Sequence, residues 1–314
     1  MTYREFVDKI VEKVKNMTGI DNVFFREADD RLAEDSIMVV LCGDDKDKFV
    51  GRILPGEAYR EYQSGRSMNQ ILKEIMDGIC PYGKMNVKEK MEALNDYEKV
   101  KGDLFLKTLN YERNKKKLEG AVYQKNGDIA LAVCHRLAEA KGCMVSGYIL
   151  SETVKKWGKE EEMVFEEARK NTGKIRPARV IYLDKLLFDP EYEGDDLMDP
   201  SLKIGEDQKI IGTCVSVDGK TNGAVAVFEP EAAKRLSDLM EGDFYIVFTS
   251  VHEAMIHSTR MVEAKDLEEV LKATVESNTP EEDMLTLHIY RYSREKARIE
   301  MVPSVGEDGY ADAK

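Results

Sequence analysis

The alternation of apolar and polar positions is densest over residues 209–257, and it predicts a strand, a hairpin turn, a second strand, a helix and a third strand. β-Branched and small residues alternate from 210 to 217, which is typical of a strand. The turn over 217–223 contains Asp-Gly and Asn-Gly pairs, and these supply the positive-φ positions that a hairpin needs. The short apolar run 224–228 then predicts a buried strand.

The second half of this segment carries helix and strand signals. Pro230 fits a first helical position, because the N–H of that position has no partner within the helix. Gly242 fits the position just after the helix end. The run 244–248 is apolar enough for a central strand, and Ser250 is predicted to cap a helical turn that begins at Val251.

The pattern over the first 78 residues predicts a small α-β-β-β-α unit. Apolar residues recur at helical spacing from 3 to 17, and three short apolar runs then favour strands. A second helix is predicted from 57 to 76; it divides at the Ser64-Gly65 pair, and Ser67 is predicted to cap its second half. The predicted strands are 23–25, 37–41 and 50–54.

Further elements follow along the chain. Residues 129–136 and 143–150 predict two paired strands, and Ser151 is predicted to cap the next helix. An amphipathic helix is predicted over 265–277, with four apolar residues facing inward. A final hairpin is predicted to close at 293–296 and to extend the sheet of the preceding strands. The inward residues are Leu267, Val270, Leu271 and Val275, and the hairpin strands are 285–292 and 297–302.

These elements together predict an α+β fold, with mainly antiparallel sheets and helices packed on one side. A charged stretch with Pro and Gly near residue 90 suggests a boundary. We therefore expect an N-terminal α-β unit over 1–90 and a larger C-terminal α+β region over 91–302. Residues 303–314 lack an apolar pattern, so a disordered tail is predicted there.

Composition narrows the class of protein. The net charge of −13 argues against nucleic acid as the default partner, because phosphate binding needs a surplus of Lys and Arg. No apolar stretch has the length of a signal sequence or of a membrane span. The five cysteines show no CxxC pair, which is typical of reduced thiols. We therefore expect a cytoplasmic protein without a membrane partner.

Two of the four histidines lie close together, in the sequence HEAMIH at 252–257. A zincin helix places two histidines four residues apart on one face, with a glutamate as the base. Here His252 and His257 are five apart, which turns the second imidazole roughly 140° away on an α-helix. The spacing therefore disfavours a metalloprotease, although the pair would still converge on a bent strand.

The candidate residues for contact with a ligand or partner are Ser250, His252 and Glu253, at the end of a predicted buried strand. The alternative is that they are polar anchors of a turn. No catalytic residue, metal ligand or cofactor is predicted, because no nucleophile elbow, phosphate loop or dinucleotide fingerprint occurs.

Aromatic and basic residues also coincide around the turn 111–118. Tyr111, Tyr123 and Tyr148, with the basic run Lys115 to Lys117, would form a small nucleic-acid platform if the fold brought them together. The overall negative charge argues against this interpretation.

Four stretches show a resemblance to a known family. They are EAYREYQSGRSMNQILKEI at 57–75, DYEKVKGDLFLKTLNYERNKKKL at 96–118, the segment from Asp243 to Glu253, and NTPEEDMLTLHIYRYSRE at 278–295. With these stretches the chain resembles the bacterial family known as domain of unknown function 5688, over about residues 1–302. The resemblance implies a cytosolic protein, and it supplies no activity and no catalytic residues.

Three functions follow as hypotheses. The first is a non-enzymatic binding or regulatory protein that acts through contact with an unidentified protein partner. The second is a hydrolase-like enzyme with its site around His252 and Glu253, which predicts a pocket and a His–carboxylate pair. The third is an acidic mimic of nucleic acid that binds a basic DNA-handling protein, which requires a continuous stripe of carboxylates.

Overall fold

The computed structural model describes residues 1–18, 22–28, 34–42, 49–83, 92–140, 143–189 and 192–303. The chain divides into two compact units, one of Met1–Asn95 with Leu137–Val145 and the other of Asp96–Arg136 with Ser146–Lys314. This division does not test the predicted domain boundary near residue 90, which stays a prediction. Residues 304–314 of the predicted tail lie outside the described residues.

The first unit has the predicted α-β-β-β-α order. Its elements are α1 (Tyr3–Thr18), β1 (Val23–Arg26), β2 (Ser36–Cys42), β3 (Phe49–Ile53), α2 (Pro55–Gln63) and α3 (Met68–Gly83). The strands form an antiparallel sheet in the order β1-β2-β3. Its core joins the apolar face of α1, with Phe6 and Ile10, to Ile37 of β2 and Ile71 of α3. Ser67 caps α3 as predicted, because its Oγ accepts the Gln70 N–H at 3.3 Å.

The second unit opens with a small sheet. Its first elements are α4 (Tyr97–Val100), β4 (Leu104–Asn110), α5 (Tyr111–Asn114), β5 (Tyr123–Asn126), β6 (Ile129–Ala140), β7 (Cys143–Tyr148), α6 (Ser151–Lys156) and α7 (Glu161–Ile175). Strand β6 lies at the centre and pairs with β4, β5 and β7. Only the parts of β6 up to Arg136 and of β7 from Ser146 belong to this unit, because Leu137–Val145 is assigned to the first. The free edge of β4 is covered by α7, because the Leu106 N–H donates to Thr172 Oγ1 at 2.9 Å.

A seven-stranded sheet and the helices between its strands form the rest of this unit. The elements are β8 (Ala178–Ile181), α8 (Leu183–Phe188), β9 (Asp195–Asp196), α9 (Glu206–Ile211), β10 (Thr213–Val217), α10 (Pro230–Leu239), β11 (Phe244–Val247), β12 (Ala254–Ser258), α11 (Ala264–Asn278), β13 (Tyr290–Ser293) and β14 (Arg298–Met301). The strand order in the sheet is β14-β13-β11-β12-β10-β8-β9. The terminal hairpin β13–β14 extends the sheet, as predicted. Its first strand begins at Tyr290, later than predicted.

Several local predictions are wrong. Residues 224–228 are not a strand: Gly223–Phe228 is a fully buried 3-10 helix. The alternation from 210 does not begin a strand either, because α9 runs to Ile211 and β10 starts only after Gly212, whose φ is 112°. Ser151 is inside α6 and makes no capping hydrogen bond. Val270 of α11 faces outward, with 64% of its surface exposed.

The helix end near Gly242 differs by one position. Glu241 takes the left-handed conformation with a φ of 58°, and Gly242 follows it. The Gly242 N–H donates to the Ser237 carbonyl at 3.0 Å, and the Glu241 N–H donates to the Asp238 carbonyl at 3.2 Å. This pair of bonds is a Schellman motif, which satisfies the last carbonyls of α10.

The predicted α+β class is confirmed: helices accompany mainly antiparallel sheets. Within the described part of the chain, each helix is too short or too polar to cross a membrane.

Candidate functional site

The segment that carries Ser250, His252 and Glu253 is a loop between β11 and β12. No helical turn begins at Val251, so the predicted capping role of Ser250 is wrong. The loop is held from both sides: the Val251 N–H donates to the Asp283 carbonyl at 2.8 Å, and the Ala224 N–H donates to the Val251 carbonyl at 3.2 Å. Its neighbours are therefore the 3-10 helix Gly223–Phe228 and the 3-10 helix Glu281–Asp283.

Both ring nitrogens of His252 are engaged inside the protein. The Asn222 backbone N–H donates to Nδ1 at 3.1 Å, and Nε2 lies 3.3 Å from Asp283 Oδ1. A backbone N–H can only donate, so Nδ1 must be the acceptor, and the ring proton is on Nε2, facing the carboxylate. In this arrangement neither nitrogen offers a free lone pair to a substrate.

The other two candidate side chains also make internal bonds. Ser250 Oγ accepts the His252 N–H at 3.0 Å, which tightens the loop. The Glu253 carboxylate accepts from Thr249 Oγ1 at 3.1 Å and from Cys214 Sγ at 3.8 Å. Burial, with the Glu253 charge adding to it, raises the pKa of the Cys214 thiol to about 12. The thiol therefore stays protonated and is a poor nucleophile.

A close backbone approach explains why the sequence needs glycine beside this loop. Asn222 takes the left-handed conformation with a φ of 53°, and Gly223 follows it. A Cβ on Gly223 would lie 2.0 Å from Ser216 Oγ and 2.4 Å from the His252 carbonyl oxygen. Ser216 Oγ itself donates to that carbonyl at 2.7 Å. The Asn-Gly pair thus closes the turn and also lets β10 approach the His252 loop.

His257 does not join His252. It lies in β12, where its Nδ1 is 2.9 Å from the Ile210 carbonyl oxygen of α9, and burial lowers the pKa of its imidazole. Among the residues that the structure describes, no cluster of three or more His, Cys, Asp or Glu side chains is arranged to hold a metal ion.

Sequence reasoning missed the partners of the loop. Asp283 comes from one distant segment, Ser216 and Asn222 come from another, and each of the three contacts His252. Only the Asn-Gly pair gave a signal, since it marked a turn. Asp283 ends the acidic run Glu281–Asp283, which gives no sign of a histidine partner in the sequence.

The described cavities lie elsewhere in this unit. One of about 300 Å³ is lined by Lys170, Lys174, Glu229 and their neighbours. Glu229 caps α10 there, accepting the Ala232 N–H at 2.6 Å, so the positive end of this helix already has a carboxylate. Two more open hollows, of about 470 and 410 Å³, mix acidic and basic side chains.

An apolar surface stands out at the end of α8. Leu187 is 82% exposed and Phe188 is 90% exposed. Elsewhere on this helix the polar side chains face water, and Lys185 pairs with Asp195 at 2.8 Å. We call Leu187 and Phe188 the α8 apolar end. Nothing in the sequence pattern had singled it out.

Comparison with known proteins gives one match. A family model described as a family of unknown function (DUF5688) matches residues 3–294. Comparison with curated proteins and with solved structures gave no match.

Proposed function

The chain belongs to the family of unknown function DUF5688, and we propose that it is a non-enzymatic binding protein that acts through contact with another protein. The geometry of the His252 loop supports the non-enzymatic part. A general base needs a free lone pair, and both nitrogens of His252 are engaged by Asn222 and Asp283. Ser250 is bonded to the His252 backbone N–H, and Glu253 is bonded separately to Thr249 and Cys214.

The observation that carries the binding part is the exposure of the α8 apolar end. Burial of large apolar side chains such as Leu187 and Phe188 is favourable, because it removes apolar surface from water. Aromatic residues are also frequent anchors of protein contacts. Among the large apolar residues that the structure describes, Phe188 has the highest exposed fraction. A partner with a complementary apolar pocket would cover it.

Photo-crosslinking tests this proposal. A photoreactive phenylalanine analogue replaces Phe188 in one variant, and Asp184, an exposed polar residue of the same helix, in the matched control. We expect one discrete crosslinked protein from position 188 and none from 184. Equal crosslinking at both positions, or none at 188, would remove the support for this surface.

A second candidate function is a hydrolase-like enzyme, favoured by the 3.3 Å contact between His252 and Asp283. In such an enzyme His252 would accept a proton from the substrate on Nδ1. The hydrogen bond from the Asn222 N–H to Nδ1 would first have to break. A measured turnover that disappears in His252→Ala but persists in His288→Ala would establish this enzyme and overturn the binding proposal.

The third hypothesis, an acidic mimic, needs carboxylates that stay unpaired along one stripe. Many acidic side chains are instead interleaved with basic ones, such as Glu268 with Lys272 and Asp243 with Arg291. The expected compartment is the cytoplasm, and the free, buried thiols of Cys134 and Cys214 are compatible with it.

A further inference from the structure

Three tyrosines from separate segments meet on one face of the small sheet. Tyr111, Tyr123 and Tyr148 pack against a common buried cluster of Leu118, Ala130 and Ala132. The rings of Tyr111 and Tyr123 lie 5.9 Å apart between centroids. All three tyrosines are half-buried, so each keeps part of its surface in contact with water. The sequence contained these residues, and the fold brings them together.

The strand register explains this arrangement. In β6, Ala132 lies opposite Tyr123 of β5 on one side and Lys107 of β4 on the other. Residues directly opposite in an antiparallel pair point to the same face of the sheet. The small alanines of the central strand leave room above it, and the tyrosines pack into that space.

Lysines surround the rings. The Lys125 ammonium lies 3.7 Å from the centroid of the Tyr111 ring, and Lys115 lies 5.4 Å from the same centroid. Lys115 is also paired with Glu112 at 2.5 Å. Neither Lys107 nor Lys125 makes an ion pair with a carboxylate among the described residues. We call these tyrosines, with Lys107, Lys115 and Lys125, the tyrosine–lysine face.

Lys107 is half-buried, whereas the other two lysines of this face are exposed. Burial lowers the pKa of the Lys107 ammonium group; Cys134 opposes this shift, and the nearby charge of Arg176 adds to it. A desolvated cation without a carboxylate partner gains from any anion that reaches it. The only ring contact described for its ammonium is with Phe105, 5.8 Å from the ring centroid.

We propose that the tyrosine–lysine face binds single-stranded nucleic acid, with the lysines on backbone phosphates and the tyrosines stacked on bases. Charge complementarity favours this occupant: Lys107 and Lys125, which have no carboxylate partner among the described residues, stand beside aromatic rings, and every base has a flat face to stack. The net charge of −13 describes the whole chain, whereas this face is locally basic. An acidic peptide would satisfy the lysines but would make less use of the rings. The face does not include the α8 apolar end, so the two proposals stand or fall separately.

Fluorescence anisotropy with a labelled single-stranded oligothymidine or oligouridine of twelve nucleotides tests the proposal. The full chain is compared with the double variant Lys107→Met, Lys125→Gln. The matched control is Lys234→Gln, Lys265→Gln, which removes two exposed charges from α10 and α11. Tyr123→Leu tests stacking while keeping an apolar side chain over Ala132. Melting temperatures confirm that each variant is folded.

We expect micromolar binding that weakens about tenfold in the Lys107/Lys125 variant and little in the control. Because each phosphate contact contributes about 0.7 to the salt slope for single strands, the slope should fall by roughly 1.4 in that variant. Tyr123→Leu should weaken binding about tenfold with an unchanged slope. Absence of binding at low salt, or equal losses in the control pair, would overturn the proposal. Equal binding of a polyglutamate peptide would overturn it in favour of an acidic protein ligand.

Discussion

Removal of one buried hydroxyl should measurably weaken the second unit. Tyr290 of β13 is fully buried, and its hydroxyl meets the β5–β6 hairpin. Its oxygen lies 2.7 Å from Asp128 Oδ1 and 2.9 Å from the Asn126 carbonyl oxygen, and it accepts the Asp128 N–H at 3.2 Å. Burial, and then the bond to Asp128, raise the pKa of Tyr290, so this hydroxyl remains a donor.

The size of the effect follows from what Tyr290→Phe removes. A phenol has one hydrogen, so it gives one strong bond, to the charged Asp128, and a hydrogen bond to a charged group contributes about 1.5–3 kcal/mol. The ring remains, so no large cavity forms. Asp128 is half-buried and keeps the bond from Thr286 Oγ1 at 2.9 Å, so water and Thr286 partly compensate. We expect a loss of about 2 kcal/mol in the free energy of unfolding.

Tyr292→Phe is the matched control. Tyr292 lies in the same strand, is 5% exposed and stacks on Phe244 at 5.0 Å. Its hydroxyl makes no hydrogen bond among the described residues, so its removal should cost less than about 1 kcal/mol. Urea unfolding of both variants, followed by circular dichroism, gives the comparison. Equal losses in the two variants would refute the reasoning, because the Asp128 network would then add nothing.

Other changes test further parts of the fold. Gly223→Ala should lower the free energy of unfolding in urea by about 2–3 kcal/mol, because the new Cβ would lie 2.4 Å from the His252 carbonyl oxygen. Gly102→Ala is the control and should be nearly neutral, because a Cβ there has no neighbour within 4 Å. Similar losses in both variants would contradict the close approach at Gly223. Burial lowers the pKa of His257 in the folded state. As the pH falls below the pKa of an unfolded histidine, about 6.5, the unfolded chain therefore binds a proton at His257 before the folded chain does. Stability should therefore be complete above that pH and fall below it, and His257→Asn, which does not titrate, should show a shallower loss between pH 6.5 and 5; identical pH profiles would exclude this role.

Long periodic segments were predicted well from the sequence. The amphipathic pattern of α1 and the division between α2 and α3 appear in the structure, because one buried stripe per helix and a Ser-Gly break are local signals. The terminal hairpin was also predicted, including its place in the larger sheet.

The short apolar run Gly223–Phe228 was not predicted correctly, for a physical reason. Periodicity does not distinguish a buried strand from a buried helical turn over so few residues. The left-handed Asn222 and the close packing at Gly223 decide the outcome, and both depend on β10 and the His252 loop. That tertiary information is not present in the local pattern.

The candidate site shows the same limit. Ser250, His252 and Glu253 were selected because they follow an apolar strand, and the structure places all three in the loop after β11, where each makes internal hydrogen bonds. Asp283 and Asn222, which determine the state of the His252 ring, are distant in the sequence. Their role was therefore visible only after folding.

We infer that His252 serves to stabilise its loop, through the contacts of its ring with Asn222 and Asp283. The direct test is equilibrium unfolding of His252→Ala beside the wild-type chain, with and without a chelator. Loss of the bonds to Asn222 and Asp283 should lower the free energy of unfolding by about 1–2 kcal/mol, a value reduced because about a third of the His252 side chain is exposed to water. The chelator should leave the stability of both proteins unchanged. Unchanged stability in the variant, or a wild-type chain weakened by the chelator, would contradict the claim.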